Sequence, residues 1–402
     1  MTIGVGGSTI EAELANLKDM TAGVAPISLD EYQARIQKVQ GMMQAQDVAA
    51  LYVNAGTNMR YFTGTRWGAS ERMVGAIIPA SGDVKYIAPD FEIGTLEQYM
   101  IIKGDVASWD EHEDPYALFV ATLSEMGISD GRVALDPSCP MFLTSGLVEQ
   151  KSAFEFVNGQ FLTQTCRAKK SDAEIAIMTR VMEMTLEVHK AAARILKPGI
   201  TTTEVEEFIH TAHKRVGAPA GNYFVIVLFG EATQYPHGVK DPQTLKEGDM
   251  VLIDTGCMLH NYISDITRTY VYGEPTDKQR EVWNAEKDLQ ATAFEAAKVG
   301  IRAGNVDLAV RARLKELGFG PDYALPGVPH RTGHGIGMDI HEGPYLNSGE
   351  DEILDAGMCF SNEPMLCIPG EFGIRLEDHF YLTEQGPKWF TQPSHSIDNP
   401  FG

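Results

Sequence analysis

Four carboxylates in the second half of the chain carry the strongest chemical signal. DMVLID is a nearly continuous apolar run ending at Asp254, and DITRTYVY, beginning at Asp265, alternates as a strand does. The two segments should pair as a hairpin, and with an apex at Leu259-His260 the two acids face each other with Cβ atoms about 5 Å apart. GMCFSNE ends at Glu363 and FGIRLED carries Glu377. A hairpin centred on Gly370, in the turn-forming IPGEFG, sets that pair opposite as well. Like charges so placed repel unless a cation lies between them. Carboxylate oxygens with a single imidazole suit a hard to borderline ion such as Mn²⁺, and four carboxylates can bridge two ions about 3.5–4 Å apart. The imidazole candidates are His334, within PHRTGHGIGMDIHEGP, along with His330, His341 and the earlier His237. All four acids flank apolar strand segments, which argues against solvated surface hairpins.

An internal repeat brings the two hairpins together. Lys197, Gly199, Ile200, Val205, Lys214 and Gly217 recur as Lys298, Gly300, Ile301, Val306, Lys315 and Gly318, each displaced by 101 residues. Leu245, Gly248 and Asp254 return as Leu354, Gly357 and Glu363, displaced by 109, as expected if one loop has grown. His237-Gly238 and His334-Gly335 lie between these blocks and match by position. The expected architecture is a duplicated α+β domain in which two helix pairs cover a sheet and a pseudo-twofold relates the halves. Its first helix should follow the capping box of Ser171 and Glu174, keep Ile175, Met178, Met182, Leu186, Ala193 and Leu196 on its apolar face, and stop at Pro198-Gly199. Met178 and Met182 read as core fillers. His189, His210, His213 and His379 read as structural. Upstream, EYQARIQKVQGMMQAQ reads as an amphipathic helix, and AALYVNA, VGAIIPASG, VKYIAPD and VALDPS read as short strands of a smaller α/β layer domain. The expected domains are 1–165 and 166–402.

Composition narrows the function. The 402 residues include 33 Lys and Arg against 55 Asp and Glu, a formal charge of −22. Such a balance repels phosphate backbones and anionic lipid, so neither nucleic acid nor a membrane surface is an expected partner. MTIGVGGSTIEAELANLKDM has neither a basic n-region nor an apolar h-region, and a cytoplasmic location is expected. The five cysteines are scattered without a CxxC pair and are expected as free thiols.

IDTGCMLHNYISDITRTY, TGHGIGMDIHEGP, SNEPML and GIRLED, in this order and spacing over residues 165–385, resemble the pita-bread metallopeptidases, which include methionine aminopeptidase, Xaa-Pro aminopeptidase and Xaa-Pro dipeptidase. The resemblance implies that Asp254, Asp265, His334, Glu363 and Glu377 hold a dinuclear centre, with Mn²⁺ expected and Co²⁺ or Zn²⁺ as alternatives. NMRYFTGTRWG (Asn58 to Gly68) is similar to a strand and loop of the creatinase/prolidase N-terminal domain, which favours the proline-directed branch. In that branch His237 and His341 resemble histidines that bind substrate and stabilise the tetrahedral intermediate, and Arg375 resembles an arginine near the substrate. Asn261 stands where many relatives have Gly.

The expected reaction is therefore metal-dependent hydrolysis of the Xaa-Pro bond, foremost in dipeptides, with Glu363 as general base for the attacking water. An Xaa-Pro aminopeptidase, and hydrolases or lyases of the same fold acting on small ectoine-type or sulfoniopropionate-type substrates, are the alternatives. A metal-free binding module of this fold is disfavoured by the complete ligand set. A homodimer is expected by resemblance.

Overall fold

The computed structural model describes residues Thr2–Gly402, which divide into two units. One comprises Ile27–Arg167; the other joins Met1–Pro26 to Ala168–Gly402. The first 26 residues thus depart from the expected 1–165 domain. Backbone pairing explains this: Ile3 N donates to the Asp398 carbonyl at 2.7 Å, Gly6 N to Ala193 O at 2.9 Å and Met20 N to Val216 O at 3.0 Å. Glu13, on the short helix Ile10–Asn16, is also paired with Arg194 at 2.7 Å. Most of these bonds are made by the backbone, which carries no side-chain signature, so no apolar pattern announces them.

The Ile27–Arg167 unit is a six-stranded mixed sheet. Its spatial order is Val106–Trp109, Lys85–Pro89, Gly75–Pro79, Val48–Asn54, Gly131–Leu135, Phe154–Asn158. The four strands expected from sequence are the four in the middle. The two missed strands are the edges, where half-exposed residues break the continuous apolar run that marked the others. The helix Leu29–Ala45 covers the expected amphipathic stretch and is capped by Ser28. Residues Thr57–Thr63 form a helix where a strand was expected: Gly56 at φ 136° starts it and Gly64 at φ 71° ends it, its N–H donating to the Arg60 carbonyl. Glycines on both sides leave the short segment room to close a helical turn.

In the other unit the repeat is visible bond by bond. The helices Asp172–Arg194 and Thr202–Arg215 are matched by Asp277–Ala296 and Gly304–Glu316. Between each pair the chain makes the same turn, with Gly199 at φ 88° and Gly300 at φ 89°. Gly199 N donates to Leu245 O at 2.9 Å, and Gly300 N to Leu354 O at 2.8 Å; Leu245 N returns to Ile200 O and Leu354 N to Ile301 O. Every partner keeps the displacement read from the sequence. The Ser171–Glu174 capping box is present, and Met178 and Met182 are fully buried. A three-stranded sheet in the order Ile266–Val271, Met250–Leu259, Asn222–Phe229 belongs to the first half. A five-stranded sheet, Glu342–Leu346, Gly333–Gly335, Cys359–Asn362, Asp378–Thr383, Gly386–Trp389, belongs to the second, next to the ribbon Met365–Ile368 with Phe372–Arg375. An isolated bridge between Thr267 and Glu377 stitches the halves together. Beside it the Arg268–Asp378 ion pair, at 2.7 Å, is wholly buried.

Gly248 and Gly357, repeat partners, both sit at φ 86°. A Cβ at Gly248 meets nothing within 4 Å, whereas one at Gly357 lies 3.1 Å from the Lys170 carbonyl. Gly248→Ala should cost about 1–2 kcal/mol from the left-handed backbone alone. Gly357→Ala should cost more, because the Lys170 backbone must also move. Urea unfolding of the two variants measures the difference, and equal losses would show that the contact at Lys170 yields freely.

Candidate metal centre

Asp254 lies on Met250–Leu259, which pairs with Ile266–Val271. The observed turn is at His260-Asn261, both left-handed at φ 48° and 73°. It is one residue later than the expected apex, so Asp254 faces Thr267 and not Asp265. The reason is the two-residue turn, which needs two consecutive positive φ values, and Asn261 tolerates one of them where Gly would be usual. The slip in pairing is an even number of residues, which leaves both acids on one face of the sheet. The second hairpin has the expected register. Met365 pairs with Arg375 and Ile368 with Phe372 around Gly370, while Asn362 pairs with Asp378. Glu363 and Glu377 therefore oppose each other in the gap between ribbon and sheet, pinned by Glu363 N to Thr332 O at 2.9 Å and Glu377 N to Thr267 O at 3.1 Å.

His334 enters from the strand Gly333–Gly335, its N–H held by Ser361 Oγ at 2.8 Å. A Cβ on Gly333 would fall 2.1 Å from the Ser361 carbonyl, so this close approach of strands requires glycine beside the histidine. Its Nδ1 is 2.9 Å from the Gly335 carbonyl, which assigns the ring proton to Nδ1 and leaves the Nε2 lone pair facing the acids. Nε2 lies 3.2 Å from Glu363 Oε1 and 3.7 Å from Asp265 Oδ2. Burial drives His334 well below the usual imidazole range, and His341 and His379 add to this. The ring is neutral, as a metal ligand must be.

The acids are in the opposite condition. Burial raises Asp265 well above the carboxylate range, and the charges of Glu377, Asp254 and Glu363 push the same way. Glu377 is raised well above it too, by burial and then by Glu363 and Asp254. Glu363 is lifted to about 7, again by burial first, with Arg375 opposing. Arg375 is the cation in contact with the group: it pairs with Asp254, stands 3.9 Å from Glu377 Oε2, and donates to Thr267 Oγ1 at 2.9 Å and Pro236 O at 3.1 Å. At 3% exposure Arg375 is a buried counter-ion that holds carboxylates in place. Asp254 Oδ1, Asp265 Oδ1 and His334 Nε2 are buried without a hydrogen-bond partner. Unpartnered oxygens and one imidazole nitrogen, in excess of the available positive charge, fit divalent cations.

One ligating atom from each of Asp265, His334, Glu377 and His379 lies within 4.8 Å of the others. From sequence alone His379 reads as structural. The signal for it was strand periodicity, since it follows Glu377 by two and shares its face. The His341 ring packs edge-on to His334 at 4.2 Å between centroids, yet the residue is exposed. His237 is exposed on the loop after the 3-10 turn Gly230–Gln234, and its charge acts on His341. It is not the counterpart of His334. Gly335 pairs with Phe360 and Phe229 with Val251, partners separated by the repeat displacement, so the position matching His334 is Leu228. His330 turns its Nδ1 to the Arg331 carbonyl at 2.7 Å and stays out of the cluster.

Comparison with known proteins agrees with this geometry. Residues 176–384 match the model of metallopeptidase family M24, and residues 35–169 match the creatinase/prolidase N-terminal domain. The "Putative dipeptidase YkvY" of Bacillus subtilis (strain 168) is 31% identical over 362 residues, 89% of this chain and 97% of that protein. The structure of dipeptidase PepE from Mycobacterium ulcerans superposes with a TM-score of 0.85 at 30% identity, covering 92% of this chain and 98% of the other. That of a recombinant prolidase from Thermococcus sibiricus gives 0.80 at 28%, covering 90% and 97%. The chain belongs to metallopeptidase family M24, a hydrolase with a creatinase-type N-terminal domain before a pita-bread domain that carries a buried carboxylate and histidine centre for divalent metal.

Proposed function

We propose that this chain is an Xaa-Pro dipeptidase whose two divalent ions are held by Asp254, Asp265, His334, Glu363 and Glu377, with Mn²⁺ as the first ion to supply. The observation that carries the reading is the set of buried, unpartnered oxygens and the Nε2 lone pair around one arginine. Structural relatives at 28–30% identity include dipeptidases and a prolidase, which supports the dipeptide substrate. No helix among the described residues is long and apolar enough to cross a membrane. A cytoplasmic homodimer is part of the same proposal.

Divalent ions held by these residues would supply a lowered pKa for bound water and polarisation of a carbonyl oxygen. Glu363, facing Glu377 across the strand gap, takes the proton of the attacking water and delivers it to the proline nitrogen. His341 and His237, exposed beside the cluster, donate hydrogen bonds to the carbonyl oxygen as it gains charge. Arg375 keeps Asp254 and Glu377 in place from beneath. The Xaa-Pro amide has no N–H, so recognition rests on the rigid ring with its fixed φ.

Metal-stripped protein should be inert on Ala-Pro and Leu-Pro and regain cleavage with Mn²⁺, leaving Leu-Leu and an Xaa-Pro tripeptide intact. Tripeptide cleavage would identify an aminopeptidase, and inertness on every Xaa-Pro bond would point to a small non-peptide substrate. Glu363→Gln should lower kcat by about 10²–10⁴ with metal still bound.

Stability supplies an independent check. The folded pKa of Glu363 is raised from 4.5 to about 7, so the stability it contributes is fully present below about pH 4.5 and lost as pH rises through 7. Asp265 and Glu377 act in the same direction. The Tm of metal-stripped protein should therefore fall by several degrees from pH 5 to pH 8. Mn²⁺ at about 100 times its Kd should restore about 2.7 kcal/mol per ion at pH 8. A Tm that is flat with pH and insensitive to Mn²⁺ would contradict the buried-acid description.

A further inference from the structure

His379 is 1% exposed; neither ring nitrogen makes a hydrogen bond of ordinary geometry among the described residues, and the Asp265 backbone is close enough to act on the ring as a weak acceptor. His189 and His213, buried in the same unit, each keep at least one well-formed hydrogen bond: His189 meets the Ile266 carbonyl at 2.9 Å and His213 the Ile209 carbonyl at 3.1 Å. A buried imidazole without a well-formed hydrogen bond loses those it had in water, a cost that native cores avoid unless another partner takes their place. Here one nitrogen faces the donors of Asp265, His334 and Glu377 within 4.8 Å. The His334 and His379 rings stand 6.1 Å apart between centroids at 61°, on two sides of that space. Donors on one ion are at most about twice a bond of 2.0–2.2 Å apart, so a shift of a few tenths of an ångström brings all four onto a single ion. The strand Asp378–Thr383 fixes the ring there, because Ser361 and His379 are paired across the sheet and Ser361 also holds the His334 backbone.

We propose that His379 is an additional ligand, giving the ion bound by Asp265, His334 and Glu377 a second imidazole and making the two ions of the centre chemically unequal. The proposal rests on the metal-centre reading above and deepens it. A site with two imidazoles favours borderline ions such as Co²⁺ or Zn²⁺ over Mn²⁺, whereas its neighbour keeps a carboxylate shell suited to Mn²⁺. His379 thereby determines which metal occupies which position.

The test is calorimetric titration of metal-stripped wild type, His379→Phe and His379→Ala with Co²⁺ and with Mn²⁺, together with the visible Co²⁺ spectrum and the Tm of the metal-free proteins. His379→Phe retains ring volume without nitrogen. Wild type should bind two ions per chain. Both variants should lose about 10–100-fold in Co²⁺ affinity at one site, lose much less for Mn²⁺, and change the Co²⁺ bands. The metal-free Tm of His379→Phe should be no lower than that of wild type, since an imidazole without a well-formed hydrogen bond has been removed. Wild-type Co²⁺ affinity and spectrum in both variants would overturn the proposal while leaving the five-ligand centre intact. Failure of wild type to bind either ion would overturn the metal-centre reading and the proposal together.

Discussion

Carboxylates held out of water within reach of one another raise each other's affinity for protons, and a chain free to relax would separate them. In this protein they stay together because backbone pairing fixes them: Asp254 within the strand Met250–Leu259, and Asp265, Glu363 and Glu377 beside the ends of strands. Glu363 and Glu377 face each other where the ribbon gives way to the five-stranded sheet, and Glu377 is bonded across to Thr267 of the other half. Arg375 offsets part of the charge and is itself held on several sides. The assembly is rigid and electrically incomplete, which is the condition that makes cation binding favourable.

Duplication is the means by which the incomplete site is framed. Each half contributes a helix pair, a left-handed turn at equivalent glycines, and acids carried on or next to paired strands. The halves are not equal copies at the site. The position matching His334 in the first half is Leu228, so the imidazole side of the centre belongs to one half alone. Symmetry supplies the scaffold, and departure from it supplies the chemistry.

Much of this was legible in the residues, and the exceptions have common physical causes. The Gly370 hairpin could be placed because Pro369-Gly370 marks a turn and the flanking strands are apolar. The first hairpin was misplaced by one residue because His260-Asn261 is not an obvious left-handed pair. Central strands of the smaller unit were readable and its edges were not, since exposure erases the apolar run. His379 was passed over because a single histidine has no pattern of its own, and its meaning comes from the face it shares with Glu377. Arg375 was seen, but only packing showed it to lie beneath the acids. The N-terminal residues were misassigned because hydrogen bonds between backbones leave no mark on composition.

That last feature bears on how the chain is made. Thr2 Oγ1 bonds to the Val271 carbonyl and Ile3 to Asp398, partners synthesised hundreds of residues later. At roughly 5–20 residues per second, the first segment waits tens of seconds for its place in the catalytic unit. The Ile27–Arg167 unit has all its own strands within reach long before then. Birth order and pairing order therefore differ: every strand of the Ile27–Arg167 unit has been made while the partners of Thr2 and Ile3 are still to come.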